Sequence, residues 1–93
     1  MTTTEDQIDK LFGQILNESI SRDEIERELR ALFYAFDDPY YREKIQSAID
    51  NAEVYASLRE PEEYDDHENI RTLLLHDLTS ARRRISQLQN VSE

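Results

Sequence analysis

The chain has 93 residues, enough for one domain but too few for two separate hydrophobic cores. It has no cysteine, which excludes disulfides and thiolate metal sites, and its single glycine and two prolines argue against β architecture, because hairpins need turn residues. Twenty-one acidic and eleven basic residues give a net charge of −10, which disfavours direct binding to nucleic acid and favours contact with basic protein surfaces.

Signals for export or membrane insertion are missing from the sequence. No apolar run approaches the roughly 18 residues of a membrane span. The amino terminus, MTTTEDQ, lacks the basic and then apolar order of a signal peptide. The mean hydropathy of −0.81 is low, but the apolar residues are strongly patterned, which argues against disorder. We therefore expect a cytoplasmic, all-α protein with a single helical domain over residues 1–93.

Two amphipathic helices are predicted in the first part of the chain. The first follows Thr4, whose hydroxyl is predicted to form a capping box with Gln7. Its apolar stripe consists of Ile8, Leu11, Phe12, Ile15 and Leu16. The second opens at the sequence ISRDEI, where Ser21 and Glu24 are predicted to form a capping box. Its apolar stripe consists of Ile25, Leu29, Leu32, Phe33 and Phe36.

A third, longer helix is predicted to start at Pro39. Proline suits the first helical position and Asp38 suits the N-cap before it. The helix should continue to about Leu58, because Pro61 stops it. Its predicted buried face consists of Tyr41, Ile45, Ala48, Ile49, Ala52 and either Tyr55 or Ala56.

The fourth helix is predicted to begin near Asp66, after an acidic linker at 59–66. Its apolar residues are Ile70, Leu74, Leu78, Ala81, Ile85 and Leu88. From Leu74 onward, their alternating steps of four and three match the a/d seam of a coiled coil. Leu73 and Leu75 widen this surface, and a chain of this length buries only about 60–65% of its unfolded surface. We therefore expect a homodimer of compact four-helix bundles with an interface formed by Leu74, Leu78, Ala81 and Ile85.

Negative charge is concentrated in the first three helices and the linker. Residues 1–38 carry a net charge of −6, residues 39–69 another −6, and residues 70–93 a net +2. The basic cluster of the last segment is Arg82, Arg83 and Arg84. We expect the dipole of the last helix to stabilise these arginines and nearby acids to bond them, with an anion or RNA site as the alternative.

No motif for catalysis or cofactor binding occurs in the sequence. His67 and His76 are nine residues apart, which matches neither an HExxH helix nor a zinc finger, so both are expected on the polar surface. The segment DDHENIRTLLLHD has no glycine, which a calcium-binding loop requires. Gly13 is isolated within the first helix, so no glycine-rich phosphate loop is present. We expect a non-enzymatic protein with no cofactor and no metal.

The stretch REPEEYDDHENI places six carboxylates in the nine residues from Glu60 to Glu68. It is either a solvated loop or a surface that imitates phosphates. Same-face carboxylates on a helix lie about 5 to 6 Å apart, and duplex phosphates advance about 3.4 Å per residue along each strand. Helices can therefore present negative charge on the scale of a DNA backbone. The predicted partner-binding residues are Asp23, Glu24, Glu28, Asp37, Asp38, Glu60, Glu62, Glu63, Tyr64, Asp65, Asp66 and Glu68.

The segments DEIERE, DDPYY and EPEEYDDHE, in a short, acidic, cysteine-free helical chain, resemble phage-encoded DNA mimics. In size the chain is most similar to the anti-restriction nuclease proteins of T-even phages. The resemblance covers the whole chain in composition and charge layout. It implies a decoy in the host cytoplasm that occupies the DNA-binding surface of a restriction nuclease. The arginine cluster departs from this pattern.

The alternative function is that of a helical protein interaction module. A chaperone-like or regulatory subunit would bind its partner through the apolar face of the last helix, where Leu73 and Leu75 lie. Salt dependence separates the two functions, because an acidic mimic binds through screened charges and an apolar contact does not.

Overall fold

Four α-helices make up most of the computed structural model, which describes residues 3–58 and 64–91, with the backbone alone at 64–66, 90 and 91. The helices are α1 (Thr4–Leu16), α2 (Arg22–Phe33), α3 (Pro39–Ser57) and α4 (Tyr64–Val91), and these parts of the chain contain no strand. The radius of gyration is 13.4 Å, close to the roughly 12 Å of a compact domain of this length. The predicted all-α fold with four helices is confirmed.

The first helix begins one residue earlier than predicted. Thr3 Oγ accepts a hydrogen bond from the backbone N–H of Asp6 at 3.1 Å, and the Asp6 carboxylate accepts one from the N–H of Thr3 at 3.5 Å. The two bonds form a reciprocal capping box. The predicted box of Thr4 and Gln7 is wrong, because the Thr3 and Asp6 pair offers the same groups one residue earlier.

The predicted starts of α2 and α3 are confirmed. Ser21 Oγ accepts a hydrogen bond from the N–H of Glu24 at 3.2 Å, and the Asp38 carboxylate accepts one from the N–H of Tyr41 at 2.9 Å. The Ser21 hydroxyl in turn donates to the Glu24 carboxylate at 3.2 Å, which replaces the reciprocal backbone bond of the predicted box. Pro39 is the first residue of α3. A backbone N–H at this position would have no partner within the helix, so proline, which lacks one, loses no hydrogen bond there.

The connection between α1 and α2 turns through a left-handed residue that is not glycine. Glu18 has φ 54°, a backbone region in which side chains other than glycine are strained. The N–H of Ser19 donates to the carbonyl of Gln14 at 2.9 Å, and that of Glu18 donates to the carbonyl of Ile15 at 3.2 Å. This pair of bonds is a Schellman motif, which satisfies the last carbonyls of α1.

The four helices surround one hydrophobic core. α1 and α3 each pack against both α2 and α4. Arg71, early in α4, binds Glu18 after the end of α1, whereas Arg82, later in α4, binds Glu5 at the start of α1, so these two helices run antiparallel. The buried core consists of Ile8, Leu11, Ile15, Ile25, Leu29, Leu32, Tyr41, Ile45, Ala48, Ile49, Ala52, Tyr55, Leu74, Leu78, Ala81 and Ile85.

The predicted apolar faces agree with this core except at their ends. On α3 the last buried position is Tyr55, while Ala56 is exposed. Leu16, the last residue of α1, is 57% exposed because the chain leaves the bundle there. The hydroxyl of Tyr41 donates to the carbonyl of Leu32, which gives this buried phenol a partner within the core.

The predicted dimer interface lies inside the single chain. Leu74, Leu78 and Ala81 are 0% exposed and Ile85 is 1% exposed. The seam of α4 therefore packs against the other helices of its own chain, and the assignment of these residues to a contact with a second chain is wrong. The heptad spacing is the same in both cases, since any helix in an antiparallel bundle has such a seam. Leu73 is 49% exposed, and Leu75 packs partly buried against the core.

The acidic linker is shorter than predicted. α4 begins at Tyr64 instead of near Asp66, so residues 64–66 form its first turn. Residues 59–63 lie outside the described residues. No helix in the described parts of the chain is both long enough and apolar enough to cross a bilayer.

Candidate partner-binding surface

Three of the predicted partner-binding acids lie on the outer side of α2. Ile25 and Leu29 are buried, which turns Asp23, Glu24 and Glu28 toward solvent, where all three are exposed. Glu24 and Glu28 are one turn apart, a separation of about 5 to 6 Å between their Cβ atoms. Both line an open groove of about 480 Å³ between α1 and α2. The carboxylates are therefore held in place by a helix that the core anchors.

The single lysine in this groove, Lys10, does not neutralise its carboxylates. The residues that line it are Gln7, Lys10, Leu11, Gln14, Ile20, Glu24, Glu28, Ala31 and Leu32. Among these described residues one cation faces two carboxylates. The groove thus has a net negative charge and several amide groups that can donate or accept hydrogen bonds.

Asp38 is not available to a partner. It is 7% exposed, and its carboxylate accepts hydrogen bonds from Arg84 Nε at 3.0 Å and Arg84 Nη2 at 3.2 Å. The bond with Arg84 and then the bond with the N–H of Tyr41 hold the pKa of Asp38 below its ordinary value. The prediction that Asp38 contacts a partner is corrected, because its charge is already used inside the bundle.

Asp37 is exposed but lies far from the acids at the start of α2. Its carboxylate is 3.4 Å from Arg42 Nη1. Asp37 follows the end of α2, and the 12 residues of that helix span about 18 Å. The predicted set of partner-binding residues is therefore divided between two ends of the bundle.

The start of α4 lies at the same end as the start of α2. Glu68 is exposed there. Tyr64, Asp65 and Asp66 belong to the first turn of α4, but their side chains lie outside the described residues, as do the predicted partner residues Glu60, Glu62 and Glu63. Arg71 joins this end to the α1–α2 connection, because its guanidinium is 2.7 Å from the carboxylate of Glu18.

Glu18 is an exposed acid at this end that the sequence did not predict as part of the surface. It lines, with Asp23, Arg22 and Tyr55, an open cavity of about 420 Å³. The polar segment LNESIS around it has no helical pattern, so nothing in the sequence shows that it meets Arg71. The contact depends on the return of the chain from α3 to α4.

The cation at the start of α2 is engaged with the end of α3. Arg22 Nη1 donates to the carbonyls of Tyr55 at 3.0 Å and Leu58 at 2.8 Å. Its guanidinium carbon also lies 5.1 Å from the centroid of the Tyr55 ring. Arg22 therefore caps the last carbonyls of α3, which stabilises that helix end.

Arginines pair with four further acids outside the predicted set. Arg82 binds the carboxylates of Glu5 and Asp9, and Arg30 binds those of Glu26 and Glu53. The acids of the predicted partner-binding set with no ion pair inside 4.0 Å to any described residue include Asp23, Glu24, Glu28 and Glu68, which we call the acidic surface. All four lie on the solvent side of α2 and α4.

Two residues of the arginine cluster act through ion pairs instead of the helix dipole. Arg82 and Arg84 bind acids from α1 and from the α2–α3 connection, so the predicted bonds to nearby acids are confirmed for both. Arg84 lies seven residues before Val91, the end of α4, and the dipole acts mainly within the last turn. The dipole part of the prediction is therefore wrong. Arg83 is exposed.

His67 is buried, which corrects the prediction that both histidines lie on the surface. It is 5% exposed, and its ring meets that of Tyr55 edge-on with a centroid separation of 5.9 Å. His76 is exposed, as predicted. Within residues 3–58 and 64–91, no three His, Cys, Asp or Glu side chains are grouped so that they could hold a metal ion.

Comparison with known proteins gives no relative. The chain matches no protein-family model, and no curated protein and no solved structure is significantly similar to it. The function must therefore be argued from the surface itself.

Proposed function

We propose that this protein binds a basic surface on a DNA-binding protein and prevents DNA from occupying it. The observation that carries this proposal is the contrast among the carboxylates. Arginines from other elements pair with Glu5, Asp9, Asp38 and Glu53, whereas the acidic surface of Asp23, Glu24, Glu28 and Glu68 faces solvent without an ion pair to a described residue. With a net charge of −10, this arrangement attracts cationic grooves.

The helical scaffold supports such a mimic physically. Because the acids project from α2 and α4, their backbone does not have to become ordered on binding, which removes part of the entropy cost of association. The spacing of Glu24 and Glu28 by one turn, about 5 to 6 Å, is similar in scale to that of phosphates along a strand. The acidic stretch from Glu60 to Asp66 would add to this negative charge.

The partner we favour is a restriction nuclease of a bacterial host. This choice follows from the resemblance of size, composition and charge layout to phage anti-restriction proteins. In this proposal the protein is a decoy without catalytic activity, cofactor or direct contact with nucleic acid, and it acts in the host cytoplasm.

The test combines capture of the partner with competition against DNA. The tagged protein is incubated with a bacterial host extract, and the captured protein is identified and assayed for DNA binding. We expect inhibition that weakens steeply as salt rises from about 50 to about 300 mM, because screened charges supply the attraction. A captured partner that binds DNA equally well in the presence of the protein would contradict the proposal.

A pair of variants locates the contact. Glu24→Gln with Glu28→Gln removes two charges from the acidic surface, and Glu43→Gln with Asp50→Asn removes two exposed charges from α3. The α2 variant should inhibit DNA binding less well and the α3 variant should inhibit like the wild type. Equal loss in both would show that net charge matters and the position of the acids does not.

The alternative function, an interaction module, is supported by one observation. Leu73 is 49% exposed on α4, and Val54 is 46% exposed on α3, the helix against which α4 packs. With the seam of α4 buried, a partner or a second copy has to use such residues. We propose that a second copy in a homodimer, or a partner bound in a salt-tolerant way, would contact the surface at Leu73. Leu73→Asp tests both cases: light scattering measures the loss of the homodimer, and a pull-down measures the loss of the partner.

A further inference from the structure

A basic pocket lies between the start of α3 and the later part of α4. Its volume is about 240 Å³, and its described lining consists of Tyr40, Ser80, Arg83, Arg84 and Gln87. None of these residues is acidic. In a chain with a net charge of −10, a pocket lined by two arginines and no carboxylate is unexpected.

The four α4 residues of the basic pocket share one face of the helix. Ser80 and Arg84 are four residues apart, as are Arg83 and Gln87, so all four side chains can reach the same space. They offer a hydroxyl, two guanidinium groups and an amide. The pocket therefore presents hydrogen-bond donors together with positive charge, which is the combination that phosphate oxygens require.

Arg84 is oriented by contacts on two sides. Its Nε and Nη2 donate to the buried carboxylate of Asp38 at 3.0 and 3.2 Å, and its guanidinium carbon lies 5.6 Å from the centroid of the Tyr40 ring. A guanidinium has five N–H donors, so these two bonds leave three for a ligand. The ion pair thus orients Arg84 without using all of its donors.

Two further cations lie beside this fixed guanidinium. Lys44 Nζ is 5.4 Å from the centroid of the same Tyr40 ring. Arg83 is exposed and, like Lys44, forms no ion pair with any residue in the described parts of the chain. Arg82, in contrast, is turned toward α1 and binds Glu5 and Asp9. Only part of the arginine cluster is therefore used in holding helices together.

We infer that the basic pocket binds a small phosphate anion, of the size of inorganic phosphate or pyrophosphate, between Arg83 and Arg84. The volume of 240 Å³ is below the roughly 300 to 1,000 Å³ of pockets that enclose drug-sized ligands. The small volume therefore favours a small anion over a larger ligand. The overall negative charge opposes binding, but at physiological salt charges act mainly within about 8 Å. Within that range the carboxylate of Asp38 balances Arg84, while Arg83 and Lys44 form no ion pair with a described residue, so the local charge is positive.

The test is a titration of the whole protein with sodium pyrophosphate, followed by amide NMR shifts at constant ionic strength kept with sodium chloride. We expect saturable shifts at residues 80–87 and around Tyr40 and Lys44. Titration with orthophosphate should give the same shifts with weaker affinity, since it offers fewer oxygens and less charge. The absence of saturable shifts with either anion would overturn the inference.

Two arginine variants separate a site from general charge. Arg83→Gln should lower the affinity for pyrophosphate by about tenfold, the effect of losing one charge-assisted hydrogen bond, while the melting temperature stays unchanged. Arg27→Gln is the matched control, because Arg27 is an exposed arginine of α2 with no ion pair to a described residue. Equal weakening by both variants would overturn the inference.

The basic pocket is independent of the acidic surface. Glu24→Gln with Glu28→Gln changes the proposed partner contact on α2 and should leave pyrophosphate affinity unchanged. Failure of the phosphate titration would therefore not affect the proposal of partner inhibition, and failure of partner inhibition would not affect the pocket.

Discussion

The two ends of the bundle differ in how many of their acids form ion pairs. At the end where α3 begins, Arg82 and Arg84 bind Glu5, Asp9 and Asp38, so acids and bases from distant parts of the chain neutralise one another. At the end where α2 and α4 begin, Arg71 binds Glu18, but Asp23 and Glu68 are exposed with no ion pair to a described residue. The local density of carboxylates does not reveal this difference, which depends on which cations the fold brings near.

This difference shows that the role of an acidic residue depends on the residues around it in the fold. Asp37 and Asp38 are neighbours in the sequence, yet Asp37 is exposed and Asp38 is buried against Arg84. The first can meet a partner and the second stabilises the junction of α2 and α3. Variants that change one end and leave the other intact can test this division.

The largest effect should come from the core that both ends share. Leu78 is 0% exposed, and truncation of such a leucine to alanine costs about 2 to 5 kcal/mol of unfolding free energy. Leu78→Asp also buries a charge without a partner, so we expect it to be unfolded by circular dichroism. A folded Leu78→Asp monomer would instead support a dimer seam at this position.

The control for the core is the neighbouring exposed leucine. Leu73→Asp should keep the wild-type fold, because Leu73 is 49% exposed. If a homodimer forms through the exposed surface around Leu73, light scattering of the wild type gives about twice the 11.1 kDa chain mass. Leu73→Asp should then return the measured mass to that of one chain.

The next largest effect should come from the acidic stretch. Replacing Glu62, Glu63, Asp65 and Asp66 by Gln or Asn removes four charges and keeps side-chain size. In the proposed mimic, this change should weaken binding to the DNA-binding partner by about a hundredfold at low salt and flatten the salt dependence. Unchanged inhibition would mean that the stretch is a solvated linker and that the acids of α2 carry the contact.

A smaller effect, specific to the other end, is expected on acidification. The pKa of Asp38 is lowered in the folded protein by Arg84, so its carboxylate stabilises the fold fully above about pH 4, its unfolded pKa. This contribution is lost as pH falls through the lower folded pKa. Asp38→Asn keeps an N-cap but loses the ion pair, so it should be less stable than wild type at pH 7.

The pH dependence can be measured by urea unfolding at pH 7, 4 and 2. The difference between wild type and Asp38→Asn should shrink as the pH falls, whereas Asp37→Asn, the exposed neighbour, should differ little from wild type at any of these values. A difference between wild type and Asp38→Asn that stays constant across this range would contradict a charged role for Asp38.

The smallest effect is expected at the left-handed residue of the α1–α2 connection. Glu18 has φ 54° and its carboxylate binds Arg71 at 2.7 Å. Glu18→Ala keeps the backbone strain and loses a surface ion pair, which is worth about 0.2 to 1 kcal/mol. Glu18→Gly loses the same ion pair but removes the strain, so it should be about 1 kcal/mol more stable than Glu18→Ala. Thermal unfolding of the two variants measures the difference, and equal stability would argue against strain.

The sequence by itself determined the local features of the fold. The caps at Ser21 and Asp38 and the proline at the start of α3 use groups within three residues of one another, so their pattern is visible in the sequence. The apolar stripes were predictable for the same reason, because the period of a helix sets which residues share a face. Even the error at the start of α1 was one residue, since two overlapping capping patterns compete there.

Only the tertiary structure determined which helices the apolar faces pack against and which charged residues form ion pairs. The seam from Leu74 to Ile85 has the same spacing whether it packs in its own chain or against another, and the return of α1 and α3 onto α4 buries it. The ion pair of Asp38 with Arg84 joins residues 46 positions apart, and His67 is buried against Tyr55 of the preceding helix. Such contacts depend on how the chain brings distant helices together, whereas helical periodicity and capping depend on near neighbours alone.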